Sequence, residues 1–202
     1  MILTLDLSSK CTGFSKFSKD GKLMEKGQII PDKNIDVYFK IHFVTEKVKE
    51  LFHNADELVI EDIFLGSFAG KFNVDTLKYL ARLSGAIVYA WIVSKYKVPK
   101  FYMASSARKL AGLNGHSQKA EIQIYVLENY TKIMKEQIKK YKKYIIKLQR
   151  ELENKTLTKE KYKYRMNKFS ELIEEQTGIG EDQADAIILG LAYLNDKNNE
   201  KN

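Results

Sequence analysis

The chain has 202 residues, 44% of them hydrophobic and 30% charged, which predicts one domain around a single buried core and excludes disordered and collagen-like classes. A single cysteine, Cys11, excludes an intrachain disulfide and suits a reducing compartment; three scattered histidines exclude zinc-like ligand spacing and leave any metal to oxygen donors. The net charge of +8 is uneven: residues 130–170 carry fourteen Lys or Arg against four Glu, a net +10, leaving 20 basic and 22 acidic residues elsewhere.

Residues 2–7 form an apolar run of strand length that reaches an acid, Asp6, and is followed by Ser8-Ser9 and Thr12-Gly13. This pattern predicts a buried strand with a carboxylate at its edge. Burying Asp6 costs several kcal/mol unless it is bonded, paired or metal-bound, although taken alone it also suits a turn. Residues 12–18 and 22–29 are expected to be two further strands, joined through Lys19-Asp20-Gly21, whose Asp-Gly pair favours a hairpin. From 36 to about 52, Val37, Ile41, Val44, Val48 and Leu51 recur at helical spacing and predict an amphipathic helix.

Residues 57–62 repeat the opening pattern, a short apolar strand ending in Glu61 and Asp62. In an open sheet with crossover helices, the carboxyl ends of parallel strands line a crevice where ligands bind. If the first and fourth strands are neighbours, Asp6 and Glu61 face each other there. The next stretch, 63–70, is a loop with two glycines and the aromatics Phe64 and Phe68. Residues 74–94 predict a long helix with a broad apolar centre (Leu80, Ala81, Leu83, Ala86, Ile87, Ala90, Trp91), buried against the sheet or a partner subunit. Residues 100–103 can supply a last short strand.

The glycine-containing stretch 112–119 leads into a helix starting near Gln118. A lysine in a first helical turn opposes the dipole unless it serves an anion, so Lys119 is a candidate phosphate contact. In the basic segment, Ile138, Tyr141, Ile145, Leu148 and Leu152 recur three and four apart, as do Tyr162, Met166, Phe169 and Ile173, with a break at 154–158. This predicts an antiparallel helical hairpin over 130–176 with a basic outer face. Its lysines, among them Lys139, Lys140, Lys142 and Lys143, are expected to touch nucleic-acid backbone. The chain closes on a core helix whose first turn carries Asp182 and Asp185 on one face, and then a polar tail. Two acids there also complement the dipole, an effect of only about 0.3–1 kcal/mol each.

An acid after strand one, another after a later strand and a D-x-x-D pair opening the final helix have a chemical reason to meet. Hard divalent ions prefer oxygen ligands, and two of them about 3.5–4 Å apart can activate water and stabilise the departing oxygen of a phosphodiester. Without cations, carboxylates so gathered would raise one another's pKa values.

On Ile2-Leu3-Thr4-Leu5-Asp6 with Thr12-Gly13, Val59-Ile60-Glu61-Asp62-Ile63-Phe64, Ser117-Gln118-Lys119 and Asp182-Gln183-Ala184-Asp185-Ala186, the chain resembles the RuvC-type crossover junction endodeoxyribonucleases, on the RNase H-like fold. The likeness covers roughly 1–129 and 178–195. It implies an α/β fold with a five-stranded mixed sheet, order 3-2-1-4-5, flanked by helices, and a homodimer that nicks branched DNA, the four-way junction above all. It implies that Asp6, Glu61, Asp182 and Asp185 bind two Mg²⁺ ions, or Mn²⁺, as the catalytic set. Lys119 would lie beside the scissile phosphate, with Ser117 as a further DNA contact and Phe64 stacking on an unpaired base. The hairpin departs from the pattern as an insertion in one nuclease domain, and could broaden the substrate to flaps, three-way junctions or forks. A ribonuclease acting on RNA/DNA hybrids and a non-catalytic branched-DNA binding module are the alternatives. No apolar stretch approaches the about 18 residues of a membrane span, and no secretory signal opens the chain, so a cytoplasmic protein without membrane contact is expected.

Overall fold

The computed structural model describes residues 1–63, 74–131 and 135–200. Strands β1 (Ile2–Leu7), β2 (Thr12–Phe17) and β3 (Leu23–Ile29) form the expected antiparallel meander, with Gly21 supplying the positive φ of +85° that the β2–β3 turn demands. Helix α1 (Val37–Leu51) starts on an Asp36 side chain that accepts from the Tyr38 N–H, and leads to β4 (Glu57–Glu61). After α2 (Val74–Lys95) comes β5 (Lys100–Tyr102). Both β4 and β5 run parallel to β1, giving the sheet order β3-β2-β1-β4-β5 anticipated from the resemblance.

Alternation along the strands decides what each face of the sheet carries. Leu3 and Leu5 of β1 and Leu58 and Ile60 of β4 join α1 and α2 in one apolar cluster. Their neighbours Thr4 and Asp6, and Val59 and Glu61, therefore point to the opposite face. There the sheet meets α7 (Glu181–Asn199), behind which stand α3 (Ala104–Leu110), α4 (Lys119–Tyr130), α5 (Lys135–Glu153) and α6 (Lys159–Thr177). Helix α7 lies close: Gly190 leaves room for the Phe17 ring, and the buried Thr4 and Ser15 hydroxyls both donate to the Ala186 carbonyl.

Three expectations need correction. Helix α2 buries a narrow stripe, Tyr79, Leu83, Ile87 and Trp91, while Ala81 is exposed and the opposite side shows Tyr89 and Val93 to solvent. A four-residue repeat covers only one side of a helix; beside the stripe Leu80, Ala86, Val88 and Ala90 are partly buried against the same cluster. Helix α3 was not anticipated, because its sequence, Ala-Ser-Ser-Ala-Arg-Lys-Leu, is too short to show a period. The hairpin breaks where expected, between α5 and α6, with Thr158 capping α6 and Gly178 ending it in the left-handed conformation. Its seam residues Ile138, Tyr141, Ile145, Leu148, Met166, Phe169 and Ile173, expected to pack on one another, merge with α4 and α7 into one core. Among the described residues no helix is long and apolar enough to cross a membrane.

Candidate active site

Parallel pairing of β1 with β4 aligns Leu5 with Ile60, so the following residues, Asp6 and Glu61, leave the sheet side by side at its carboxyl edge. The hydroxyl bonds to Ala186 set the depth of α7, whose first two turns carry Asp182 and Asp185 toward that edge. Close approach depends on Gly13, the cross-strand partner of Asp6. A Cβ at Gly13 would run into the Asp182 backbone carbonyl, so only glycine lets the helix start pass over β2 here. The four sequence-predicted acids are thereby brought together from three separate parts of the chain.

Their electrostatics show how closely they sit. Burial raises the Asp6 carboxyl well above the usual range, and the charges of Glu61, Asp185 and Asp182 raise it further. Glu61 is pushed up to about 8, again by burial first and then by Asp185 and Asp182. Asp185 is raised by burial, with Arg108 opposing. Asp182, less enclosed, is raised by burial, while a hydrogen bond from the Cys11 thiol and the charge of Lys119 pull the other way. Cys11 is thus part of the site wall, and its thiol is pushed up to about 12 by burial and by Asp182. It is a neutral donor rather than a nucleophile.

Arg108 was missed in the sequence. Helix α3 places its guanidinium against Asp185, Nη2 donating to Oδ1 at 3.3 Å, while Nη1 donates to the Ser117 carbonyl at 3.4 Å. Its buried Nε has no partner among the described residues. The one signal available was indirect: a buried acid quartet needs a cation, and any basic residue between the last strand and the glycine loop was a candidate.

Lys119 lies in the first turn of α4, and the anion it serves is the Glu181 carboxylate, with which it pairs at the rim of the site. Glu181 also meets the Ser170 hydroxyl of α6 at 3.3 Å. Ser117 is half-buried and presents its carbonyl to Arg108 rather than a free surface. On α5, Lys139, Lys140 and Lys143 are exposed, whereas Lys142 pairs with Glu128 at 2.7 Å. Phe64 falls outside the described residues.

An all-carboxylate set, desolvated and self-repelling, has the donor chemistry of a site for hard divalent cations. Among the described residues, however, no three His, Cys, Asp or Glu side chains already stand close enough together to hold an ion. The donors fit such a metal in kind.

Comparison with known proteins bears on the family and the fold. A family model described as crossover junction endodeoxyribonuclease RuvC matches residues 2–142. Among solved structures, Thermus thermophilus RuvC superposes with a TM-score of 0.62 at 11% identity, covering 98% of this chain and 96% of that one. T. thermophilus RuvC in complex with Holliday junction substrate gives 0.57 at 9% identity, covering 98% and 94%. The yeast mitochondrial Holliday junction resolvase Ydc2 gives 0.54 at 10%, covering 99% and 80%. At such identities the structural likeness speaks for the fold. No curated protein matches the chain.

Proposed function

The chain belongs to the RuvC family of crossover junction endodeoxyribonucleases, a divalent-metal-dependent nuclease family, and from that premise we propose that Asp6, Glu61, Asp182 and Asp185 form its catalytic metal site, taking two Mg²⁺ or Mn²⁺ ions. The observation that carries the assignment is the meeting of four carboxylates, each raised by burial, at one sheet edge with Arg108 beside them. When bound, such ions supply acidified water and neutralise charge on the phosphodiester.

The protein's own groups do the rest. The carboxyl ends of β1 and β4 fix Asp6 and Glu61 on rigid strands, and the first two turns of α7 bring Asp182 and Asp185 over them. Arg108 holds Asp185 and ties α3 to the loop before α4. Lys119, at the exposed rim, meets the phosphate next to the bond being cut, exchanging its Glu181 partner for that oxygen. The exposed lysines of α5, Lys139, Lys140 and Lys143, and Lys142 once released from Glu128, hold DNA arms through their phosphates, and Ser117 and Phe64 complete the DNA contacts.

The substrate is branched DNA, four-way junctions foremost and flaps or forks through the hairpin, which we take as an insertion at 130–176 within a single nuclease domain. Two copies act together, since among the described residues α1 and α2 expose the large apolar side chains Tyr38, Phe39, Tyr89 and Val93. The work is done on DNA in the cytoplasm. The test is a synthetic four-way junction incubated with the protein and Mg²⁺ or Mn²⁺. Paired nicks that Asp6→Asn and Asp185→Asn each reduce by about 100-fold or more are expected. Undiminished nicking by both variants, or cleavage of an RNA/DNA hybrid in preference to the junction, would refute the assignment.

A further inference from the structure

We propose that the outward groove between α5 and α6 is a stacking site for unpaired nucleobases, so that the hairpin grips single-stranded stretches of a branched DNA and not only its duplex phosphates. The choice of DNA as ligand rests on the family reading above; the choice of unpaired bases rests on the groove itself. The groove encloses about 410 Å³, and Lys140 and Tyr144 of α5 and Tyr164, Arg165, Lys168 and Leu172 of α6 line it.

Phosphate recognition needs cations but no rings, and a solvated helix face gains nothing from exposed aromatics. Here Tyr164 is 64% exposed, Tyr144 37% and Leu172 41%, all on one groove. The Tyr144 ring is not loose. Its centroid stands 4.5 Å from that of Phe169, which in turn meets the buried Tyr141 edge-on at 5.6 Å. Tyr141 donates to Gln176 Oε1 at 2.6 Å, fixing one helix against the other. A partly exposed ring held by a packed aromatic row is a pre-ordered platform, which lowers the entropy lost when a base settles on it.

Cations stand where a backbone would follow. Lys140 is one turn from Tyr144, Arg165 adjoins Tyr164, and Lys168 is one turn beyond it. Arg165 pairs with Glu151 at 3.0 Å and Lys168 with Glu171 at 2.6 Å, but exposed pairs of this kind are weak and exchange readily for phosphate. Aromatic faces flanked by a basic track are the chemistry of sequence-tolerant single-strand binding. A duplex keeps the faces of its bases inside the stack, so these rings discriminate for unpaired nucleotides.

The test uses the full-length protein in EDTA at fixed ionic strength, and fluorescence anisotropy of two labelled 12-mers with equal phosphate number, one oligo-dT and one of abasic spacers. Wild type should prefer oligo-dT by about tenfold or more, the scale of one or two base–aromatic stacks. The pair Tyr144→Leu and Tyr164→Leu, which keeps apolar volume against Phe169, should lose that preference while retaining abasic binding, and Tyr144→Trp with Tyr164→Trp should keep it. Equal binding of the two oligomers by wild type, or an unchanged preference in the Leu pair, overturns the proposal. Failure of the nuclease reading shows elsewhere, as absence of junction nicking with either metal, and leaves this readout intact.

Discussion

Replacing Glu61 by Gln should make the metal-free protein more stable while disabling it. Folding carries Glu61 into the acid cluster and moves its pKa from 4.5 to about 8. Between those values the native state keeps a proton that the unfolded chain has released, so stability falls as pH rises through the window; below about pH 4.5 this penalty is absent. A shift of that size corresponds to a ceiling of about 5 kcal/mol, at about 1.4 kcal/mol per unit. Sharing of protons with Asp6 and Asp185 and local relaxation reduce the expected gain to about 1–3 kcal/mol, which for a chain of this length is about 3–8 °C in Tm. The assay is a thermal melt of wild type and Glu61→Gln in EDTA at pH 5 and pH 8, repeated with Mg²⁺. Glu61→Gln should melt higher at pH 8, with a smaller difference at pH 5, and should lose most of the stabilisation that Mg²⁺ gives wild type. A variant less stable at pH 8, or a gain independent of pH, would refute the electrostatic account of the site.

Arg108→Ala leaves Asp185 buried without its cation and should lower junction nicking by about 100-fold, with Arg108→Lys in between; equal loss in both would point to the fork geometry rather than the charge. Gly13→Ala forces α7 off β2 and should cost about 2 kcal/mol or more in urea unfolding and abolish nicking, whereas a neutral effect would mean that the helix start has room to yield. Light scattering at micromolar concentration should give twice the chain mass, and Tyr89→Lys with Val93→Lys on the exposed side of α2 should return it to that of one chain. Excising residues 130–176 should yield an aggregating protein rather than a trimmed nuclease, as a failed cooperative melt would show.

The sheet and the acids were legible because each rests on a short-range pattern. Apolar runs of strand length that end in an acid placed Asp6 and Glu61 on strands, and three-residue spacing placed Asp182 and Asp185 on one helix face. Gly13 stood in the motif without its reason, since its role is to clear a helix that arrives more than 160 residues later. Arg108 was invisible because α3 is too short to advertise a period and its partner, Asp185, is 77 residues away. Local rules placed Lys119 in a first helical turn but not its partner: Glu181, adjacent to an acid already singled out, holds it in the free protein. In the apolar centre of α2 only Ala81 is exposed, because an alanine counts as apolar in a sequence whether or not the fold covers it.

The hairpin's relation to the site follows from a buried polar chain that no sequence pattern announces. Gln123 of α4, fully enclosed, donates through Nε2 to the Ile179 carbonyl at 2.8 Å and accepts through Oε1 from the Ser170 hydroxyl of α6 at 2.7 Å. Ser170 in turn stands 3.3 Å from Glu181, whose other oxygen holds Lys119. Enclosed polar groups tolerate little displacement, because each lost bond leaves a desolvated atom that costs about 1–3 kcal/mol. Helix α6 therefore cannot shift without disturbing the approach to α7, and the hairpin residues proposed to contact DNA and the lysine at the rim of the acid cluster are carried by one rigid frame. That rigidity is what makes point substitutions on the outer groove informative where removal of the whole hairpin is not: the groove side chains lie outside the polar chain, and α5 and α6 themselves are walls of the core on which the acid cluster is mounted.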